Sequence, residues 1–296
     1  MGKTRVCVVG YGNVGREAVV CIERAPDLEL AGVVRRALCG IPPGVPAATR
    51  VEELGPVDAA LLAIPSRLIP ASAPSYLQRG INTVDGYDIH GRAMLSLRND
   101  LANHARQSGR VAITGAGWDP GTDSIIRMLF SVIAPGGLTF TDFGPGMSMG
   151  HSTAASAIEG VKKALSITLP LGYGRHRRHV YVELEQGADL AEVAGNIRRD
   201  PYFKADRTEI FAVDDAAWLK VAAHGVRITR LGVSGTAQNQ LLELKMRLTN
   251  PAATAQIMVA AARAAARLEP GCYVLGEIPP IDLLPSSREE NIKKLV

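Results

Sequence analysis

Residues 6–15, with the sequence Val-Cys-Val-Val-Gly-Tyr-Gly-Asn-Val-Gly, constrain the fold more than any other part of the chain. The apolar start is short enough for a buried parallel strand, and helix-compatible sequence follows the Gly-x-Gly-x-x-Gly pattern. In such a turn Gly10 permits the tight bend, Gly12 lets backbone amides approach a pyrophosphate, and Gly15 allows close helix packing. The segment therefore predicts a dinucleotide-binding turn, with cofactor contacts from Gly10, Tyr11, Gly12, Asn13, Val14 and Gly15.

Length and composition favour a globular protein of about two domains. The chain has 296 residues, 47% of them hydrophobic and 21% charged, and no apolar run approaches the roughly 18 residues of a membrane helix. The first residues show no signal-peptide pattern, so we expect a cytoplasmic protein with no membrane partner. The net charge of +4 and the 5% aromatic content do not favour nucleic acid as a partner. Four scattered cysteines show no zinc spacing, so no metal is expected.

The second predicted strand, Leu28–Val34, ends in Arg35 and Arg36. In NAD-selective units an acidic residue about twenty positions beyond the glycine turn binds the ribose 2′-hydroxyl, whereas arginine accommodates a 2′-phosphate. No acid lies at this strand tip. The two arginines therefore predict NADP(H) as the cofactor, and the alternative is a solvated basic turn.

Strands and helices alternate over the first 118 residues, which predicts a doubly wound parallel (Rossmann) sheet in an α/β domain. Polar side chains follow three of its strands at the carboxyl ends, where open α/β sheets bind ligands. Ser66 is a candidate for cofactor contact. Asp88 and Asp119 could hold an ammonium group, accept its proton and activate water, which are the tasks of a catalytic carboxylate in amine oxidation. The alternative for each aspartate is a turn or helix cap.

The pattern changes beyond residue 118, where strand-like segments recur with few helices between them. Residues 119–250 therefore predict a second, mixed α/β domain with a largely antiparallel sheet that binds substrate and offers a face for dimerisation. The alanine-rich segment 252–268 predicts a helix that returns the chain to the first domain, so residues 251–296 would pack there. Polar residues near the ends of the strand-like segments could bind a carboxylate: Thr168, Arg178, His224 and Asn250.

Four segments together resemble the meso-diaminopimelate D-dehydrogenase family. They read Val-Gly-Tyr-Gly-Asn-Val-Gly-Arg at 9–16, Val-Asp-Gly-Tyr-Asp-Ile-His at 84–90, Gly-Trp-Asp-Pro-Gly at 117–121 and Gly-Pro-Gly-Met-Ser-Met-Gly-His at 144–151. Shorter matches at 168–170, 224–225 and 248–251 extend the likeness over nearly the whole chain. The segments at 117–121 and 144–151 are its specific parts.

The resemblance implies a homodimer, joined through the second domain, that performs reversible NADP-dependent oxidative deamination at the D-centre of meso-2,6-diaminopimelate. The products would be ammonia, NADPH and L-2-amino-6-oxopimelate, which cyclises to tetrahydrodipicolinate. Asp88 and Asp119 would flank the reacting centre. By the same likeness the pocket is lined by Trp118, Phe143, Ser148, Met149 and Gly150, and the distal amino-acid end is held by Thr168, Arg178, His224 and Asn250, with Arg175 and Arg177 as alternatives to Arg178.

Two departures from the family predict a more open distal pocket. Phe143 stands where an indole is common, and the stretch between Pro170 and Arg178 is short. We therefore expect that simpler 2-keto acids are aminated to D-amino acids. The rival interpretations are another NADPH-dependent reductase of lysine or aspartate-family metabolism and a non-catalytic NADP-binding regulator, although a regulator would not need two carboxylates at the cofactor rim.

Overall fold

A computed structural model describes residues 2–216 and 224–296. The chain divides into two units: unit 1 comprises Met1–Ile125 with Pro251–Val296, and unit 2 comprises Ile126–Asn250. Unit 1 extends past residue 118, where the sequence analysis placed the boundary. The reason is that Asp123 is fully buried and Ile125 packs against the unit 1 core.

The secondary structure follows the predicted alternation in unit 1. The described strands are β1 (Thr4–Val9), β2 (Leu28–Val34), β3 (Ala47–Ala48), β4 (Ala59–Leu62), β5 (Asn82–Asp85), β6 (Val111–Thr114), β7 (Gly136–Phe143), β8 (Gly146–Met147), β9 (Val161–Gly172), β10 (Arg175–Leu184), β11 (Arg207–Ala212), β12 (His224–Ser234), β13 (Ala237–Leu248) and β14 (Gly271–Val274). The described α-helices are α1 (Asn13–Arg24), α2 (Ile69–Gln78), α3 (Arg92–Ser108), α4 (Thr122–Ile133), α5 (Met149–Ser156), α6 (Leu190–Arg199), α7 (Asn250–Ala265) and α8 (Arg288–Leu295).

Seven strands form the sheet of unit 1, in the order β14-β6-β5-β4-β1-β2-β3, and every neighbouring pair is parallel. The chain builds β2 and β3 on one side of β1 and then crosses to β4 on the other side. This reversal of strand order opens a crevice at the carboxyl ends of β1 and β4, where doubly wound sheets bind their ligands. The predicted Rossmann architecture is confirmed.

Both faces of this sheet are covered by helices, which explains the nearly continuous apolar strands. Val6 and Val8 point into a core that includes residues of α1 and α7, whereas Cys7 between them packs with α2 and α3 on the opposite face. The alanine-rich α7 contributes Ala255 and Met258 to the first of these cores. Small side chains allow α7 to lie close to the sheet.

The described residues of unit 2 form two sheets, where one was predicted from the sequence. The first has the order β11-β10-β9-β8 and the second β13-β12-β7. All pairs are antiparallel except β10 and β11, so the expected antiparallel character is confirmed. The amphipathic helix α6, which the sequence analysis overlooked, buries Val193 and Ile197 in the core beside the first sheet. No helix within residues 2–216 and 224–296 is long and apolar enough to cross a membrane.

Candidate functional site

The glycine turn after β1 has the backbone geometry that the motif predicts. Gly10 adopts a φ of +92°, and a Cβ there would lie 2.5 Å from the Ala63 carbonyl oxygen. A Cβ on Gly15 would lie 2.3 Å from the carbonyl oxygen of Gly10, so only glycine lets α1 approach the turn this closely. A Cβ on Gly12 would meet no atom within 4 Å among the residues described. The turn therefore leaves space beside Gly12 for an approaching ligand.

The N-terminus of α1 opens directly from this turn. Gly12 is the N-cap residue and supplies no side chain, and the first helical hydrogen bond runs from the Arg16 amide to the Gly12 carbonyl at 3.0 Å. The preceding amides of the first turn are outside the helical ladder, and the first turn contains no acidic residue. Free amides and the positive end of the helix dipole suit a pyrophosphate. The residues present thus fit a dinucleotide.

Two arginines follow the carboxyl end of β2, next to the glycine turn. The Gly10 amide donates a hydrogen bond to the Val34 carbonyl at 2.9 Å, which holds the turn against the last residue of β2. Arg35 is partly buried and donates from Nη1 to the Cys39 carbonyl at 2.8 Å, whereas Arg36 is exposed. Their guanidinium groups suit a ribose 2′-phosphate at this strand tip.

Asp88 lies in the loop after β5 and is joined to Ser66, which follows β4. The Ser66 hydroxyl donates to Asp88 Oδ1 at 2.6 Å, and the Asp88 amide donates to Ser66 Oγ at 3.2 Å. The structure thus brings together a residue predicted for cofactor contact and one predicted for catalysis. Spacing in the sequence gave no signal for this pair, because the two residues follow different strands.

Asp119 lies in the loop after β6, within a tight turn. The Gly117 amide donates to the Pro120 carbonyl at 3.2 Å, and the Asp119–Pro120 peptide bond is cis. The adjacent Trp118 is buried, and the Asp119 side chain is 9% exposed. His90, two residues beyond Asp88, places Nε2 at 3.9 Å from Asp119 Oδ2. The loops after β5 and β6 therefore meet at the carboxyl edge of the unit 1 sheet.

Thr168, Arg178 and Asp206 form a cluster in unit 2 that we call the Arg178 cluster. Thr168 and Arg178 are directly paired between β9 and β10, and Arg178 Nη1 donates to Thr168 Oγ1 at 2.7 Å. Arg178 Nε donates to Asp206 Oδ2 at 2.5 Å. Burial lowers the pKa of Arg178, and the Asp206 carboxylate opposes that shift. Asp206 was not predicted from the sequence, because its position in a turn before β11 carries no motif.

The structure distinguishes Arg178 from its two neighbours on β10. Arg175 is exposed at the start of the strand. Arg177 lies one position from Arg178 and therefore points to the other face of the sheet, where its Nε is buried without a hydrogen-bond partner among the described residues. Arg178 is the arginine that lies beside Thr168.

Gly144 joins the two sheets of unit 2 next to the Arg178 cluster. Its amide donates to the Gly225 carbonyl at 2.7 Å, and a Cβ on Gly144 would lie 2.4 Å from the Thr168 carbonyl oxygen. This approach places Phe143 beside His224, with ring centroids 6.3 Å apart. His224 Nδ1 lies 2.9 Å from the Gly225 carbonyl, so this nitrogen carries the proton and donates.

His176 is a further candidate site residue, which was not singled out from the sequence. Its ring centroid lies 5.5 Å from that of Phe143, and its Nε2 accepts a hydrogen bond from the Phe143 amide at 2.8 Å. Burial lowers the pKa of His176. A neutral ring is consistent with the accepting Nε2, so His176 holds Phe143 in place.

Ser148 precedes α5 and is held near β9. Its amide donates to the Ser166 carbonyl at 2.9 Å, two residues from Thr168, and its hydroxyl lies 2.8 Å from His151 Nδ1. Burial, followed by the positive charge of Arg178, lowers the pKa of His151 to about 3. Met149 and Gly150 continue from Ser148 as the first residues of α5.

Asn250 lies just beyond the end of β13, near His224. It is the first residue of α7 and follows Leu248 by two positions, and Leu248 is paired with His224. The structure therefore gathers the unit 2 candidates around the junction of its two sheets: Phe143, Ser148, Met149, Gly150, Thr168, Arg178, His224 and Asn250. Across the described ranges, no group of three or more His, Cys, Asp or Glu side chains could hold a metal ion.

Comparisons with known proteins indicate one family, through a match to part of the chain and through relatives that cover all of it. Residues 117–174 match the family described as the diaminopimelic acid dehydrogenase C-terminal domain. The chain is 49% identical to a protein named meso-diaminopimelate D-dehydrogenase from Bacteroides fragilis, and the alignment covers 100% of both chains.

Two solved structures show the same fold. The Corynebacterium glutamicum DAP dehydrogenase in complex with DAP has a TM-score of 0.90 at 31% identity, with 100% of each chain covered. An engineered D-amino acid dehydrogenase bound to NADP+ has a TM-score of 0.90 at 30% identity, covering 99% of this chain and 100% of the other.

Proposed function

The chain belongs to the meso-diaminopimelate D-dehydrogenase family, and on that premise we propose that it oxidatively deaminates meso-2,6-diaminopimelate at the D-centre. The reaction is reversible and NADP-dependent, and it yields ammonia, NADPH and L-2-amino-6-oxopimelate, which cyclises to tetrahydrodipicolinate. The observation that carries the proposal is the 49% identity over the full length of both chains to a protein of that name.

The glycine turn and the arginines after β2 would hold NADP. The amides at the start of α1 face the pyrophosphate, and Arg35 and Arg36 bind the 2′-phosphate, which favours NADP over NAD. When bound, the nicotinamide supplies a hydride acceptor. The contacts of Tyr11, Asn13, Val14 and Ser66 with the cofactor belong to the same proposal.

Asp88 and Asp119 act on the reacting amine. Carboxylates at the sheet edge hold the ammonium group, accept its proton and activate the water that hydrolyses the imine. The bond from the Ser66 hydroxyl occupies Asp88 Oδ1, which orients its carboxylate. Trp118 is the buried aromatic next to Asp119 and shapes the same region.

The Arg178 cluster recognises the distal amino-acid end. A guanidinium whose Nε and Nη1 are already held by Asp206 and Thr168 is oriented before substrate binds, so less side-chain entropy is lost on binding a carboxylate. His224 and Asn250 supply further hydrogen-bonding groups beside it. Anchoring the distal end lets the enzyme distinguish the D-centre from the L-centre of a nearly symmetrical molecule.

A spectrophotometric assay of NADPH formation tests the proposal with three stereoisomers. The meso isomer should be oxidised, whereas the LL isomer has no D-centre and the DD isomer presents the wrong distal centre. Comparable rates with all three isomers, or no turnover of the meso isomer, would contradict the proposal. Replacing NADP with NAD tests the cofactor, and a preference for NAD would contradict the role of Arg35 and Arg36.

We also propose that the enzyme aminates simpler 2-keto acids to D-amino acids. The β9–β10 hairpin turns at Tyr173 and Gly174, so only a short connection joins the two strands that carry Thr168 and Arg178. Pyruvate and phenylpyruvate, each supplied with ammonia and NADPH, are the test substrates. Absence of NADPH consumption at high enzyme concentration would exclude this activity.

A second copy of the chain is the proposed partner of an exposed apolar surface on unit 2. Leu231 is paired with Leu138 on one side and Leu241 on the other, and these three side chains are 48%, 65% and 58% exposed. Val132 and Ile133 of α4 are also exposed, at 78% and 53%. A row of exposed leucines across three paired strands favours an interface, and the family resemblance indicates a homodimer.

Light scattering after size-exclusion chromatography measures the oligomeric state. The wild-type chain should be a dimer, and Leu231→Asp should convert it to a monomer because a charge enters the apolar surface. Leu95→Asp is the matched control, since Leu95 is an exposed leucine of unit 1, at 58% against 48% for Leu231. A Leu231→Asp variant that stays dimeric would contradict this interface.

A further inference from the structure

Asp85, the last residue of β5, has a completely buried side chain. Its Oδ1 accepts hydrogen bonds from the Tyr87 amide at 2.9 Å, the Thr114 hydroxyl at 2.9 Å and the Gly115 amide at 3.3 Å. Its main-chain carbonyl accepts a further bond from the Ala116 amide at 2.7 Å. One residue at the end of β5 therefore holds both its own loop and the loop after β6.

These two loops carry the carboxylates assigned to the reacting amine. Asp88 lies three residues beyond Asp85, and Asp119 lies three residues beyond Ala116. Both chain segments leave from a common anchor, and His90 connects them again at 3.9 Å from Asp119. The relative position of the two carboxylates consequently depends on the contacts of Asp85.

We propose that Asp85 is a positioning residue that sets the spacing and orientation of the Asp88 and Asp119 carboxylates without touching the substrate. This inference rests on the proposed function. Asp85 offers one oxygen to three donors, two of which are backbone amides that would otherwise be buried without an acceptor.

A role in packing alone does not account for a buried acid at this position. Burial raises the pKa of Asp85 to about 6, although its three hydrogen bonds oppose the shift. Its Oδ2 has no hydrogen-bond partner in the part of the chain that the structure describes. An apolar residue would avoid this desolvation, but it would leave the Tyr87 and Gly115 amides and the Thr114 hydroxyl without the acceptor that they share. The acid therefore ties the loop after β5 to the loop after β6, which a side chain of the same volume without an acceptor would not do.

Four variants test the inference in the full-length enzyme. Asp85→Ala removes the acceptor, Asp85→Asn keeps a carbonyl oxygen at Oδ1, and Thr114→Val removes one of the three donors. Thr83→Val is the matched control, because Thr83 is also fully buried on β5 and its hydroxyl has no hydrogen-bond partner within the described ranges. Each variant is assayed with meso-diaminopimelate and by NADP titration.

We expect Asp85→Ala to lower kcat about 10- to 100-fold, because displacement of catalytic groups by about 1 Å has effects of this size. Thr114→Val should give a smaller loss, Asp85→Asn should restore most of kcat, and Thr83→Val should match wild type. NADP affinity should be unchanged in all four. A kcat in Thr114→Val equal to that of Thr83→Val, with Asp85→Asn no better than Asp85→Ala, would overturn the inference.

Amide hydrogen exchange separates this inference from the proposed function. Asp85→Ala and Thr114→Val should accelerate exchange at Tyr87 and Gly115, whereas Thr83→Val should not. Unchanged protection of these two amides would overturn the positioning role, whatever the substrate. Failure of the wild-type enzyme to oxidise meso-diaminopimelate would instead count against the proposed function alone.

Discussion

The carboxyl edge of the unit 1 sheet and the Arg178 cluster of unit 2 hold their polar side chains in different ways. Asp88 and Asp119 lie on loops whose shape is set by bonds to backbone amides. Thr168 and Arg178 project from paired strands and are joined by side-chain bonds. Under the proposed function, the loops carry the chemistry, whereas strand register provides a fixed spacing for recognition.

This comparison predicts that substitutions at the unit 1 edge lower kcat and that substitutions in the Arg178 cluster raise KM. The largest expected effect is that of Asp119→Asn, which removes a carboxylate needed for proton transfer. We expect kcat to fall roughly 10²- to 10⁴-fold with a small change in KM for meso-diaminopimelate. Steady-state kinetics measure both constants. Asp100→Asn, an exposed aspartate of α3, is the control, and a change confined to KM would break the comparison.

Arg178→Ala should raise KM for meso-diaminopimelate roughly 10- to 100-fold, because a charge-assisted contact to the distal carboxylate is lost. The dissociation constant for NADPH, measured by fluorescence titration, should not change. Arg175→Ala controls for charge, since Arg175 is exposed on the same strand. An equal loss of substrate and cofactor affinity would argue against recognition by Arg178.

Asp206→Asn should have a smaller effect in the same direction. Without the carboxylate, Arg178 Nε loses an ionic partner at 2.5 Å and the guanidinium is oriented only by Thr168. We expect KM to rise roughly 3- to 10-fold while kcat stays near the wild-type value. If the Asp206→Asn enzyme shows wild-type KM, then strand register alone orients Arg178.

The smallest expected effect is that mild acid changes the stability of the two units in opposite directions. The raised pKa of Asp85, about 6, means that unit 1 takes up a proton on folding, so its stability increases as the pH falls through 6. The lowered pKa of His151, about 3, means that the unfolded chain binds the proton below about pH 6.5, so unit 2 loses stability as the pH falls.

Between pH 7 and pH 5 the free energy of opening changes by about 1 kcal/mol for unit 1, through Asp85, and by about 2 kcal/mol for unit 2, through His151. Hydrogen exchange of the most protected amides, corrected for the intrinsic pH dependence, measures the two units separately. Asp85→Asn should abolish the response of unit 1, and His151→Gln should reduce that of unit 2. A response of the same sign in both units would contradict the two pKa shifts.

Much of the unit 1 fold could be predicted from the sequence because its signals are local. The strand Leu28–Val34 was predicted with the bounds that the structure shows, and the apolar residues 6–9 of the predicted first strand lie within β1. Each is an apolar segment between turn residues, and burial on both faces makes such segments nearly continuous in hydrophobicity. β14 was missed because its four residues gain their strand conformation from pairing with β6, which lies far away in the sequence.

Less of unit 2 could be predicted, since half-exposed strands give a weaker pattern. β9, for example, has exposed residues towards both of its ends. The division into two sheets depends on partners that are distant along the chain, such as Phe143 and Val226. Asp206, His176 and Asp85 were missed as site residues because each acts through a contact that spacing in the sequence does not reveal.

The sequence by itself determined the glycine turn, the order of strands and helices in unit 1, and the family. These properties depend on steric requirements and apolar patterns within short segments. Only the tertiary structure decided which arginine lies beside Thr168, and which buried acid anchors the loops of Asp88 and Asp119. The register of β9 and β10 places Arg178 beside Thr168, and hydrogen bonds in the buried interior join Asp85 to both loops. Both depend on contacts between residues that are far apart along the chain.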